Sequence, residues 1–73
     1  MPIIEVKTEI TGNVWKVLRE AGDKIAEDEP IIILESMKME IPVSAPESGI
    51  IVEILVETDQ IVLEGSVVAR IDA

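Results

Sequence analysis

Ile31-Ile32-Ile33-Leu34-Glu35-Ser36-Met37-Lys38-Met39-Glu40-Ile41-Pro42-Val43 is the stretch whose reading decides the fold. An apolar, β-branched run enters it and a shorter one leaves it. β-Branched residues are stiff at χ1 and fit a pleated surface, so both flanks read as strands. Met37-Lys38 then becomes the tip of a hairpin. Two-residue hairpin turns favour Asn-Gly, Asp-Gly or Gly-X, because their central residues need positive φ. Here two long side chains occupy the bend, with Met39 beside them. A local rule broken with no gain to the fold marks a functional position. The competing reading is a helix, since Leu34, Met37 and Ile41 fall near helical spacing. Ile31-Ile32-Ile33 on one side and Pro42 on the other leave it too short a window.

Working outward, the upstream half reads as strands over Ile3–Lys7, 13–19, 24–26 and 31–35. Turn signals separate them at Thr11-Gly12-Asn13, at Glu20-Ala21-Gly22-Asp23 and at the acidic corner Glu27-Asp28-Glu29-Pro30. Alternation over 13–19 is imperfect, as in a strand that bends round a small barrel. Trp15, the only aromatic residue, reads as a core or edge-covering side chain. The downstream half repeats the plan. Met39–Val43 is a strand, 44–49 a loop, and Ile50–Val56 a strand.

Gly12 and Gly49 stand 37 positions apart, and Val14 and Ile51, Val17 and Ile54, Leu18 and Leu55, and Glu20 and Glu57 keep that offset. With one deletion, Asp23-Lys24-Ile25 aligns with Asp59-Gln60-Ile61, Ile31-Ile32 with Val67-Val68, and Thr58 stands against Gly22. Asp23 and Asp59 read as turn formers. A two-fold repeat in an all-strand chain implies two similar half-sheets that bury their apolar faces against each other. The predicted fold is an all-β sandwich or barrel in a single domain, residues 1–73.

Composition narrows the function. Seventy-three residues are few, and without Cys no disulfide or thiolate metal site supports them. Stability must come from the 48% apolar content. Fifteen acids against six bases, a net charge of −9, argue against nucleic acid and anionic membranes as partners. No apolar run approaches the roughly 20 residues of a membrane span, and the first residues lack a signal-peptide layout. The expectation is a monomeric cytoplasmic protein.

With neither His nor Cys, the usual general base, thiol nucleophile and imidazole ligands are missing. The serines have no histidine partner, Glu27-Asp28-Glu29 reads as a solvated corner, and no Gly-rich phosphate loop is present. No catalytic residue and no metal ligand is assigned. That leaves Lys38. A lysine amine is a protonated ammonium at neutral pH and cannot acylate itself. Another enzyme must bring an activated acyl group and remove the proton.

Glu35-Ser36-Met37-Lys38-Met39 resembles the Glu-Ala-Met-Lys-Met attachment motif of the biotinyl domains of biotin-dependent carboxylases. Gly12–Val17, Gly22-Asp23-Lys24-Ile25 and Ala45–Gly49 are also similar to segments of that family. The resemblance implies that Lys38 is amide-linked to biotin by a biotin protein ligase. It makes Met37 and Met39 the flanking motif and Glu35 a ligase-recognition acid, with Ser36 where Ala is more usual. It sharpens the fold to a flattened barrel of two four-stranded antiparallel sheets with a pseudo-two-fold axis, similar to the single hybrid motif. The chain has no room between Val14 and Ile31 for the protruding thumb of some bacterial members, so it resembles the thumbless kind.

The implied role is a biotin carboxyl carrier. It is a non-catalytic swinging arm between biotin carboxylase and carboxyltransferase, as in acetyl-CoA carboxylase of fatty acid biosynthesis, either free-standing or excised from a longer chain. One alternative is a lipoyl or dual carrier moving acyl groups in a 2-oxoacid dehydrogenase, although lipoyl tips usually carry Asp-Lys-Ala. Another is an unmodified β-module binding a partner through its acidic surface.

Overall fold

Each β-branched run becomes a strand, and the Gly, Asp and Pro positions become the turns between them. The computed structural model describes residues 2–73; Met1, the first residue of the predicted 1–73 domain, lies outside the described residues. In chain order the strands are β1 (Ile3–Lys7), β2 (Gly12–Val17), β3 (Lys24–Ile25) and β4 (Pro30–Ser36), then β5 (Met39–Ser44), β6 (Gly49–Ile54), β7 (Ile61–Val62) and β8 (Val67–Asp72). They form two antiparallel sheets, ordered β1-β8-β6-β3 and β5-β4-β2-β7. Neither sheet closes on itself, so the flattened architecture is a sandwich.

The segment weighed as a helix is the β4–β5 hairpin. Leu34 lies directly opposite Ile41 across it, so their helix-like separation is the spacing of a cross-strand pair. Pro30 is the first residue of β4, one of the few places where a central strand accommodates the missing N–H.

Adding 37 to a residue number carries β1, β2, β3 and β4 onto β5, β6, β7 and β8, and one sheet order onto the other. The correspondence runs without a gap, which corrects the deletion inferred from sequence. Buried Ile25 matches buried Val62, not exposed Ile61, and Ile31 matches Val68. Gly22 matches Asp59, not Thr58, and both have positive φ (96° and 73°). In these two turns the N–H of Glu20 donates to the Asp23 carboxylate and that of Glu57 to the Gln60 side-chain oxygen. Asp28 and Gly65, at φ 70° and 86°, form the next symmetric pair.

Bulges are symmetric too. One falls between Val14 and Lys16 against β4, the other between Ile51 and Glu53 against β8. Beside buried Val14, Trp15 points outward by the strand's alternation. The extra residue of the bulge keeps Lys16 on that same outer face, its ammonium 4.5 Å from the Trp15 ring centroid, and returns Val17 toward the core. Trp15 is outside the core, and its core reading is corrected accordingly. The core itself is aliphatic, with Val14, Ile31, Ile32 and Leu34 of one sheet and Ile51, Val68, Ala69 and Ile71 of the other all buried.

On the outer face of the first sheet, Arg70 of β8 lies between Glu5 of β1 and Glu53 of β6. Its guanidinium donates to Glu53 and sits 3.6 Å from Glu5. The Glu53 hydrogen bond, then the nearby charges, hold Arg70 above its already high pKa. The three strands are thus tied across a solvent-facing surface.

The two-fold also fixes where the hairpin tip lies. Its symmetric counterpart is the point where residues 2 and 73 meet, with the Ala73 N–H donating to the Pro2 carbonyl at 3.2 Å. β1 runs from that point toward the hairpin end, and β2 returns from beside Ser36. The chain ends and the tip therefore occupy opposite ends of a body measuring 36 × 19 × 18 Å.

Candidate functional site

β4 and β5 pair down to Ser36 opposite Met39, so the turn is just Met37 and Lys38. Both have positive φ, 52° and 66°. This is the pattern of a type I′ turn, whose right-handed twist matches the strands it joins. The other positive-φ positions are Gly or Asp, which tolerate that region. Met37 and Lys38 lack such an excuse. The strands are held by buried Leu34, Val43 and Ile32 on the inner face, and their register forces the bend onto whatever residues occupy it.

The tip is displayed, not packed. Met37 is 92% exposed and Met39 63%, which excludes them as core or gap-filling residues. Lys38 is exposed, and among the described residues it joins none of the ion pairs. Its amine is available from outside without any opening of the fold. A groove of about 440 Å³ runs between β1 and β5, lined by Val6, Thr8, Ile41 and Val43 among others, but no residue of 35–40 lines it. Among the described residues no group of His, Cys, Asp or Glu side chains is arranged to hold a metal. Among the described residues no helix is long and apolar enough to cross a membrane.

Glu35, the fourth sequence-predicted site residue, is exposed on the outer face of β4 one pair below the turn. It lies directly opposite Glu40 on β5. Like charges facing each other across a pair disfavour the sheet. Glu40 was not singled out from sequence, yet the two-residue turn alone would have found it, since that turn dictates the Ser36–Met39 and Glu35–Glu40 pairs.

Gly12 reads from sequence as a turn signal and a marker of the repeat, and its position beside the hairpin adds a packing role. A Cβ on it would lie 3.0 Å from the Glu35 carbonyl oxygen and 3.5 Å from the Ser36 Cβ. The start of β2 thus presses against the base of the hairpin, and the small Ser36 side chain permits the approach.

Comparison with known proteins follows the same lines. The family model described as Biotin-requiring enzyme (Biotin_lipoyl) matches residues 2–71. The chain is 44% identical over 66 residues to the biotin/lipoyl attachment protein of Bacillus subtilis (strain 168), covering 90% of each chain. It is 37% identical over 67 residues to the biotinylated protein TB7.3 homolog of Mycobacterium leprae, covering 92% of this chain and 94% of the relative. The crystal structure of Kluyveromyces lactis urea carboxylase superposes with a TM-score of 0.93 at 33% identity, covering 99% of this chain and 6% of that one.

Proposed function

Because the chain belongs to the Biotin_lipoyl family of biotin-requiring enzymes and is a biotin/lipoyl attachment domain, we propose that it is a biotin carboxyl carrier loaded on Lys38. The observation that carries this reading is the turn itself. Two non-glycine residues are held at positive φ so that one amine stands clear of the fold. A residue in that conformation is costly to keep, and nothing in the packing of the core requires Met or Lys there.

The tip fits a covalently attached cofactor. A biotin protein ligase surrounds the hairpin, removes a proton from Lys38 and presents an activated carboxyl group. Nζ attacks the carboxyl carbon, an amide bond forms, and the activating group departs. Amidation removes the lysine charge and lengthens the side chain into a tether. When bound, biotin supplies the ureido nitrogen that accepts and gives up a carboxyl group. The protein's part is to hold that tether on a rigid hairpin, so that its end reaches two active sites at high effective concentration.

In this reading Met37 and Met39 are apolar flanks for the enzyme's grip, and Glu35 is a recognition acid. The 73 residues act as one non-catalytic cytoplasmic unit between biotin carboxylase and carboxyltransferase, as in acetyl-CoA carboxylase. Intact mass after co-expression with a biotin protein ligase or a lipoate ligase tests it. The expected product is a single biotin adduct, lost in Lys38→Ala. A lipoyl adduct in its place would assign the chain to acyl transfer, and an adduct persisting in Lys38→Ala would move the site.

A further inference from the structure

Apart from the two methionines of the tip, the most exposed large apolar side chains among the described residues are Ile61 and Leu63, at 71% and 65%. Ile61 lies on β7, in the row that runs through Asn13 and Glu35 to Glu40. Leu63 continues from β7 toward the hairpin end, where the neighbouring Glu64 N–H donates to Thr11 Oγ1. Two strand spacings, about 10 Å, separate β7 from β4. A protein seated over Lys38 therefore reaches this edge.

The pseudo-two-fold provides an internal comparison. The positions equivalent to Ile61 and Leu63 are Lys24 and Ala26, both exposed at the opposite end. The fold therefore has no need of large apolar groups at this place, and it bears two at the hairpin end. Exposed Glu64 follows Leu63 in the chain, and exposed Glu35 and Glu40 lie two and three strands along the row of Ile61. Apolar residues flanked by acids on the hairpin side suit a partner with an apolar patch bordered by Lys or Arg.

We infer that Ile61 and Leu63 form a docking edge for the ligase that loads Lys38, engaging an apolar patch with a basic border beside the ligase active site. The inference rests on the carrier function proposed above. The ligase is the occupant because it meets the chain before any cofactor is attached. It must select Lys38 over Lys7, Lys16 and Lys24 from protein surface alone. Enzymes that use the loaded arm have the cofactor itself to recognise.

The test uses the full chain, purified without cofactor, with biotin protein ligase, ATP and labelled biotin. In Ile61→Lys/Leu63→Ala, kcat/KM for loading should fall by about ten-fold or more through a higher KM, the behaviour of lost anchor contacts. That variant installs residues the fold already carries at the equivalent positions; Leu63→Ala alone gives a milder second case with a smaller fall. Ile50→Ser, altering a half-exposed apolar residue at the far end, should load within about two-fold of the unaltered chain, since it lies outside the docking edge.

Lys38→Ala chain, which cannot be loaded, should compete for the ligase, and Lys38→Ala/Ile61→Lys/Leu63→Ala should not. Unchanged loading of the edge variants, an equal loss in Ile50→Ser, or undiminished competition would each overturn the docking edge while leaving the carrier function standing. An unaltered chain that accepts no biotin would remove both.

Discussion

Replacing Met37 with Asn should make the protein more stable and a poorer substrate for loading. Met37 holds φ 52° in a turn whose second residue is also left-handed, at 66°. For a side chain with no local hydrogen bond to offer, that region costs about 1–2 kcal/mol, whereas Asn enters it routinely. Little opposes the gain. Met37 is 92% exposed, so of the about 1.5–3 kcal/mol that full burial of such a side chain confers, only about 0.2 is lost. The net change is about 1 kcal/mol in favour of the fold, which in a domain of this size raises Tm by about 4–8 °C.

Thermal unfolding of the unloaded chain, followed by circular dichroism, reads this directly. Met39→Asn is the control. Met39 lies in β5, outside the positive-φ turn, so Asn there should lower Tm slightly. Loading measured on the same samples should slow for Met37→Asn. A Tm at or below that of the unaltered chain would refute the idea that the tip stores backbone strain for the sake of the residues displayed there.

Two other predictions follow from named contacts. Glu35→Lys places a cation opposite Glu40, turning a repulsive pair into an attractive one; Tm should rise by a few degrees while ligation slows, and unchanged ligation would discard the recognition role of Glu35. Gly49→Ala sets a Cβ 2.5 Å from the Asp72 carbonyl oxygen and 2.6 Å from Ile71 Cγ2, whereas Gly12→Ala meets its nearest backbone oxygen at 3.0 Å. Denaturant unfolding should show Gly49→Ala losing about 2–3 kcal/mol and Gly12→Ala about 1, an order that reversal would contradict.

Much of the fold was legible in the chain. Ile, Val and Leu in short runs specified strands, and an unsuitable pair of residues between two of them marked the exposed turn at Met37 and Lys38. The repeat and its offset of 37 were visible, but beyond Glu57 a deletion was inferred that the fold does not have, and the reason is physical. Asp23 and Ile25 were aligned with Asp59 and Ile61 because the letters match, whereas the fold equates positions by backbone conformation and burial. Gly22 and Asp59 share a left-handed turn position, and Ile25 and Val62 share a buried one.

Trp15 was open to a core reading because alternation over 13–19 is imperfect, and only the burial of Val14 against β4 fixes Trp15 on the outer face. Strand ends shifted by one or two residues, since pairing with a neighbour, not composition, decides where a ladder stops. Glu40 is implied by the turn. The apolar edge at Ile61 and Leu63 is not, because it depends on β7 pairing with β2, a contact that joins distant parts of the chain.

Residues 2 and 73 adjoin each other at the end farthest from Lys38, and this has an architectural consequence. A polypeptide can enter and leave the module through one doorway, with the hairpin tip pointing the other way. Spliced into a longer chain or tethered at either terminus, the unit keeps its lysine unobstructed and its connecting segments clear of the tip. A part with a single mounting flange suits both a small protein of about its own length and the far longer chain in which its structural likeness recurs.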